Sequence, residues 1–240
     1  AIDASGTASL GNIESRQSGI TQTGDLFLGS GGTIGNLTAA GELLLSDEAG
    51  GDVRTGSGAT IGNLSAGALV EVSGSLLLGN FSQLGSISAP VVSLGDGVGS
   101  ILGLGNEATI GAISGEAVSL GRDGVSLLEG ASIDSVAGTQ GVLFGSGASA
   151  TTDLVRNASI GAITSASGFI RFDGDLALGP GASVGSGMGL TADEIIFSES
   201  VTLRAGASFA GGGVGLEAAS GNVEFQGGVT MEKGALLGSI

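Results

Sequence analysis

One short segment recurs along the chain, and its period restricts the fold more than any other feature. Ala59-Thr60-Ile61-Gly62-Asn63-Leu64 reappears as Ala8-Ser9-Leu10-Gly11-Asn12-Ile13, Gly32-Thr33-Ile34-Gly35-Asn36-Leu37, Ala108-Thr109-Ile110-Gly111-Ala112-Ile113 and Ala158-Ser159-Ile160-Gly161-Ala162-Ile163. Looser copies place their third residue at Leu84, Ile133, Val184, Phe209 and Leu237. Successive third residues lie 23 to 28 positions apart, about 25 on average. A unit of this length cannot bury its apolar face alone and must stack on its neighbours.

Short alternating runs flank each copy. Leu26-Phe27-Leu28, Leu76-Leu77-Leu78 and Val201-Thr202-Leu203 lie upstream of their copies; Leu43-Leu44-Leu45, Val70-Glu71-Val72 and Val223-Glu224-Phe225 lie downstream. Alternation bounded by Gly, Ser, Asn and Asp is the mark of a strand, and no window sustains a helical period. One unit therefore reads as three short strands. The whole chain, 1–240, reads as a single all-β domain, a parallel β-helix (β-solenoid) of about ten coils of roughly 25 residues. At about 4.8 Å per coil, ten coils make a rod of roughly 45–50 Å.

Composition agrees with this reading. Gly supplies 50 of 240 residues, against an ordinary share of about 7%. Collagen needs Gly at every third position and abundant Pro, and this chain has 2 Pro and no such spacing. Disorder needs low hydrophobicity, yet 41% of residues are apolar and mean hydropathy is +0.46. Corners between stacked strands absorb the excess, because they demand small side chains and positive φ. The last inward residue of each downstream strand can be followed from coil to coil. It runs Leu45, Val72, Leu94, Leu120, Phe144, Phe172, Phe197, Phe225, which predicts a column ending in stacked Phe rings.

Several function classes drop out. Without His or Cys there is no zinc site of the usual kind and no His-based triad. A net charge of −16 opposes nucleic acid, which needs clustered Lys and Arg. No apolar run approaches the roughly 20 residues of a membrane-spanning helix. The start, Ala1-Ile2-Asp3-Ala4, carries no signal peptide; one removed earlier fits an exported protein. Acids pair at Asp47-Glu48, Asp173/Asp175 and Asp193-Glu194, as in β-helical polysaccharide-cleaving enzymes, but sugar-stacking Trp and Tyr are missing. Solvated turn acids explain them more simply. The calcium-binding nonapeptide is absent, Leu94-Gly95-Asp96-Gly97-Val98-Gly99 being one imperfect copy. The single Lys, Lys233, is in no phosphate-binding loop. Glycosylation-type triplets at Asn36, Asn63, Asn80 and Asn157 arise freely from repetition. Asn12, Asn36 and Asn63 share one register and suit a short Asn ladder or a left-handed corner. Thr-x-Thr arrays of the ice-binding kind do not occur. No catalytic, cofactor or metal residue is assigned.

The Gly-Ala-Thr-Ile-Gly-Asn-Leu type of unit, its period, the scarcity of aromatics and Lys and the lack of Cys resemble the β-helical passengers of bacterial surface proteins. These are the filamentous-haemagglutinin-like exoproteins and autotransporter adhesins. The resemblance covers the whole chain and implies an extracellular or cell-surface structural protein, with carbohydrate or a host surface as partner. A weaker resemblance is to bactofilins, cytoskeletal β-helices with shorter coils that polymerise end to end. Neither end of the chain shows a helix or charged cap. Open rungs invite pairing, so head-to-tail homopolymerisation is expected. The end residues expected to meet are Ile2, Ala4, Leu10, Ile13, Val229, Met231, Leu237 and Ile240. A carbohydrate-active or carbohydrate-binding β-helix is the alternative.

Overall fold

The computed structural model describes residues 2–4, 9–46, 51–147, 150–185, 189–210, 216–218 and 221–238. They form a parallel β-solenoid without helices. One coil, Leu26–Leu28, Thr33–Ile34, Leu37–Ala39 and Glu42–Leu45, shows the plan. It contains four strand segments rather than the three expected, because the recurrent segment bends at Gly35-Asn36 and contributes two. In the middle of the rod the last three segments merge into single bent strands, Thr109–Leu120 and Ser132–Phe144. The first column stacks ten strands, from Ile2–Ala4 to Val229–Met231. The two outermost have one neighbour each, which leaves about eight turns packed on both sides.

All pairings are parallel, and they align like with like. Leu10 pairs with Ile34, Ile34 with Ile61, Ile61 with Leu84 and Leu84 with Ile110. Side chains alternate in and out along each strand, so each inward position becomes a buried file. Ile87, Ile110, Leu43 and Leu120 are fully buried. Each such side chain contributes about 1.5–3 kcal/mol by leaving water.

The corner after the first column uses the left-handed backbone in every coil from the second onward. The residue there is Gly31, Gly58, Phe81, Glu107, Gly130, Asn157, Gly181, Gly206 or Gly234, with φ between 54° and 81°. From Gly31 to Asn157 its N–H bonds to a carbonyl of the next coil, as in Gly58 to Asn80 at 2.8 Å and Phe81 to Asn106 at 2.8 Å. The bend at Gly-Asn is held differently. The Asn12 Oδ1 accepts the Asn36 N–H, Asn36 the Asn63 N–H and Asn63 the Ser86 N–H, each at 2.8 Å. These Asn form a ladder, not a left-handed corner. Gly must precede each upper Asn because a methyl at Gly62 would lie 2.6 Å from the Asn36 amide oxygen beneath it.

Candidate functional site

The expected core residues occupy a single file. Leu45 pairs with Val72, Val72 with Leu94, Leu94 with Leu120, and Leu120 with Phe144. The file continues through Phe172, Phe197 and Phe225. Ring centroids lie 4.6, 5.3 and 4.6 Å apart with planes 8–9° from parallel. Phe209 closes the stack from the side, edge-on to Phe172 and Phe197. At the other end the file begins with Gln22, paired with Leu45. Gln22 is buried. Its Nε2 donates to the Thr23, Gly24 and Asp25 carbonyls at 2.7, 3.0 and 3.2 Å, and its Oε1 accepts the Ser46 N–H at 3.1 Å. The file is structural; no ligand chemistry is available inside it.

The expected end residues occupy inward files that lose their cover. Leu10 is 42% exposed, whereas Ile34, one rung on, is 5% exposed. Val229 and Met231 are 42% and 45% exposed, against 1% and 0% for Val201 and Leu203. Ile13 and Leu237 are half-buried against the core. Ile2 and Ala4 pair through their backbone with Leu26 and Leu28, and their side chains and Ile240 lie outside the described residues.

Of the acids singled out in the sequence, Asp173 and Asp175 hold backbone and neighbours in place. Asp173 binds Arg171 at 2.5 Å and accepts the Ser198 hydroxyl at 2.8 Å. Asp175 accepts the Ser200 N–H at 3.1 Å. The Asp47-Glu48 pair lies outside the described residues. Asp52 shows this role best: it takes the Ser75 N–H at 2.8 Å and the Arg54 guanidinium at 2.5 Å. Burial raises the Asp52 pKa, but the Arg54 and Ser75 hydrogen bonds outweigh it and hold the carboxyl below its usual range. Among the described residues no three acidic side chains converge on one point.

Two surface features escaped the sequence. An outward file of hydroxyls, interrupted once by the Gln83 amide, runs from Ser9 through Thr33, Thr60, Gln83, Thr109, Ser132, Ser159 and Ser183 to Ser208. Its members are a whole coil apart, so a search for Thr-x-Thr passes over them. The second is a shallow depression on the outer face of the fourth column. Val91, Ala117, Gly141 and Phe169 succeed one another there in register.

Comparison with protein-family models, curated proteins and solved structures finds no match. The parallel solenoid itself is consistent with β-helix proteins. Among the described residues no helix is long and apolar enough to cross a membrane.

Proposed function

We propose that this chain is a non-catalytic structural rod of an extracellular filament or adhesive stalk, extended head to tail by a second copy stacking on its end rungs. The observation that supports this is the exposure of Leu10 at one end and Met231 at the other, 42% and 45%, in files that are buried along most of the rod. A parallel rung has unpaired N–H and C=O groups at its edge, and an apolar file beside them supplies the driving force. Such a contact is heterologous and does not close, so it propagates. The charge of −16 opposes sideways clumping of the rods.

Sedimentation velocity and negative-stain imaging over rising protein concentration test the reading. Rods that lengthen with concentration, and shorten in Leu10→Lys or Met231→Glu, are expected. A monomer at every concentration overturns it. A tagged protein found at the cell surface is expected; one confined to the cytoplasm favours a bactofilin-like scaffold. A second reading, carbohydrate binding or cleavage, draws on the groove of about 310 Å³ lined by Arg171, Asp173, Ser198 and Glu199. Incubation with a panel of polysaccharides tests it, and no binding or cleavage rejects it.

A further inference from the structure

The depression on the fourth column is made by omission. Ala117 and Gly141 leave a low floor between Val91 and Phe169. A side chain at Gly141 would meet the Phe169 ring at 2.9 Å, so the ring overhangs that rung. The space is about 350 Å³ and Leu143 forms part of its wall. Phe169 is 38% exposed and Val91 42%. The polar groups around it are acidic or neutral. Ser93 lies within the strand Val91–Leu94, Asp96 stands just beyond its end, and Gln140 immediately precedes Gly141, its amide donating to Glu116 at 3.1 Å. Neither Lys nor Arg lines the space. Of the cations nearby, Arg171 is ion-paired with Asp173 at 2.5 Å, and Arg122 donates to the Asp96 backbone carbonyl at 3.5 Å.

An aromatic face, an apolar floor, the Asp96 carboxylate at one edge and Glu116 behind Gln140 at the other suit a side chain with a long apolar stem and a positive head. The stem lies on Ala117 and Val91, and the head reaches the Phe169 ring or a carboxylate. A molecule of charge −16 draws cationic partners and repels anionic ones, including other rods that approach it side on. We propose that this depression docks a basic polypeptide segment of a partner protein, one in which Arg or Lys alternates with apolar residues. The proposal stands apart from end-to-end assembly.

The test is fluorescence anisotropy with a labelled peptide alternating Arg and Leu. A peptide alternating Glu and Leu and a neutral oligosaccharide serve as competitors. Phe169→Ala, and separately the pair Asp96→Asn with Glu116→Gln, are expected to weaken Arg/Leu peptide binding about tenfold. Asp153→Asn, an exposed acid on the first column, is expected to leave it unchanged. The acid pair removes charge without removing packing, so it reads the site even if Phe169→Ala unfolds. Equal loss in Asp153→Asn means diffuse charge attraction and overturns the proposal. So does wild-type affinity in the acid pair, or tighter binding of either competitor.

Discussion

The Gln22 side-chain carbonyl accepts the Ser46 backbone N–H at 3.1 Å, so one amide closes the file that elsewhere holds Leu, Val and Phe. Its NH₂ group gathers the carbonyls of Thr23, Gly24 and Asp25. Gln22→Leu continues the apolar file but leaves the N–H of the fully buried Ser46 without its partner. Unpaired buried polar groups cost about 1–3 kcal/mol each, so the substitution is expected to destabilise the first two coils despite its higher apolarity. Hydrogen exchange of the Ser46 amide, compared with that of Val142, checks this; unchanged protection at Ser46 would count against it.

Phe172 has stacked rings above and below and Phe209 edge-on. Phe172→Ala removes a fully enclosed ring and is expected to cost about 3–5 kcal/mol, with Phe172→Leu losing less. Because each coil touches only its neighbours, the loss should concentrate around the Phe144 to Phe225 stretch. Chemical denaturation followed by limited proteolysis reads both the size and the place of the loss.

The file from Leu45 to Phe225 was legible in the sequence because in-out alternation and the coil period are both local patterns. The division into four segments was not. Gly35-Asn36 reads as a turn inside one strand until the Asn12 amide beneath it shows how the bend is pinned. Gln22 was invisible because a polar residue in an alternating run is read as outward. The hydroxyl file and the Phe169 depression join residues a whole coil apart, and the depression depends on what Ala117 and Gly141 lack. The Asp52–Arg54 pair was within reach, since residues two apart on a strand share a face.

Phe81 occupies a corner that six other coils give to Gly, with φ of +59°, and its ring is 55% exposed. Left-handed backbone costs a residue with a side chain roughly 1–2 kcal/mol, and this ring recovers little by burial. Phe81→Gly is therefore expected to stabilise the rod by about 1 kcal/mol. The reverse change, Gly58→Ala at φ of +67°, is expected to destabilise it by a similar amount, although a methyl there meets nothing within 4 Å. Thermal denaturation of the two variants separates backbone strain from packing: a Phe81→Gly protein that melts earlier than wild type shows that the ring packs more than its exposure indicates.

Asp52 links acidity to the stability of the third and fourth coils. Its carboxyl is held below the usual range in the folded chain, burial opposing the shift and Arg54 and Ser75 producing it. A depressed folded value means that the unfolded chain takes up the proton first. The stabilisation is thus fully present above the ordinary carboxylate range near pH 4 and disappears as pH falls through the lower folded value. Asp52→Asn keeps an oxygen for the Ser75 N–H and loses only the ion pair with Arg54. At neutral pH it is expected to cost about 1 kcal/mol or less, as partly exposed pairs do. Unfolding measured from pH 7 downward should show wild type and variant converging in acid. A constant gap across that range would mean that the carboxylate charge is not what stabilises this corner.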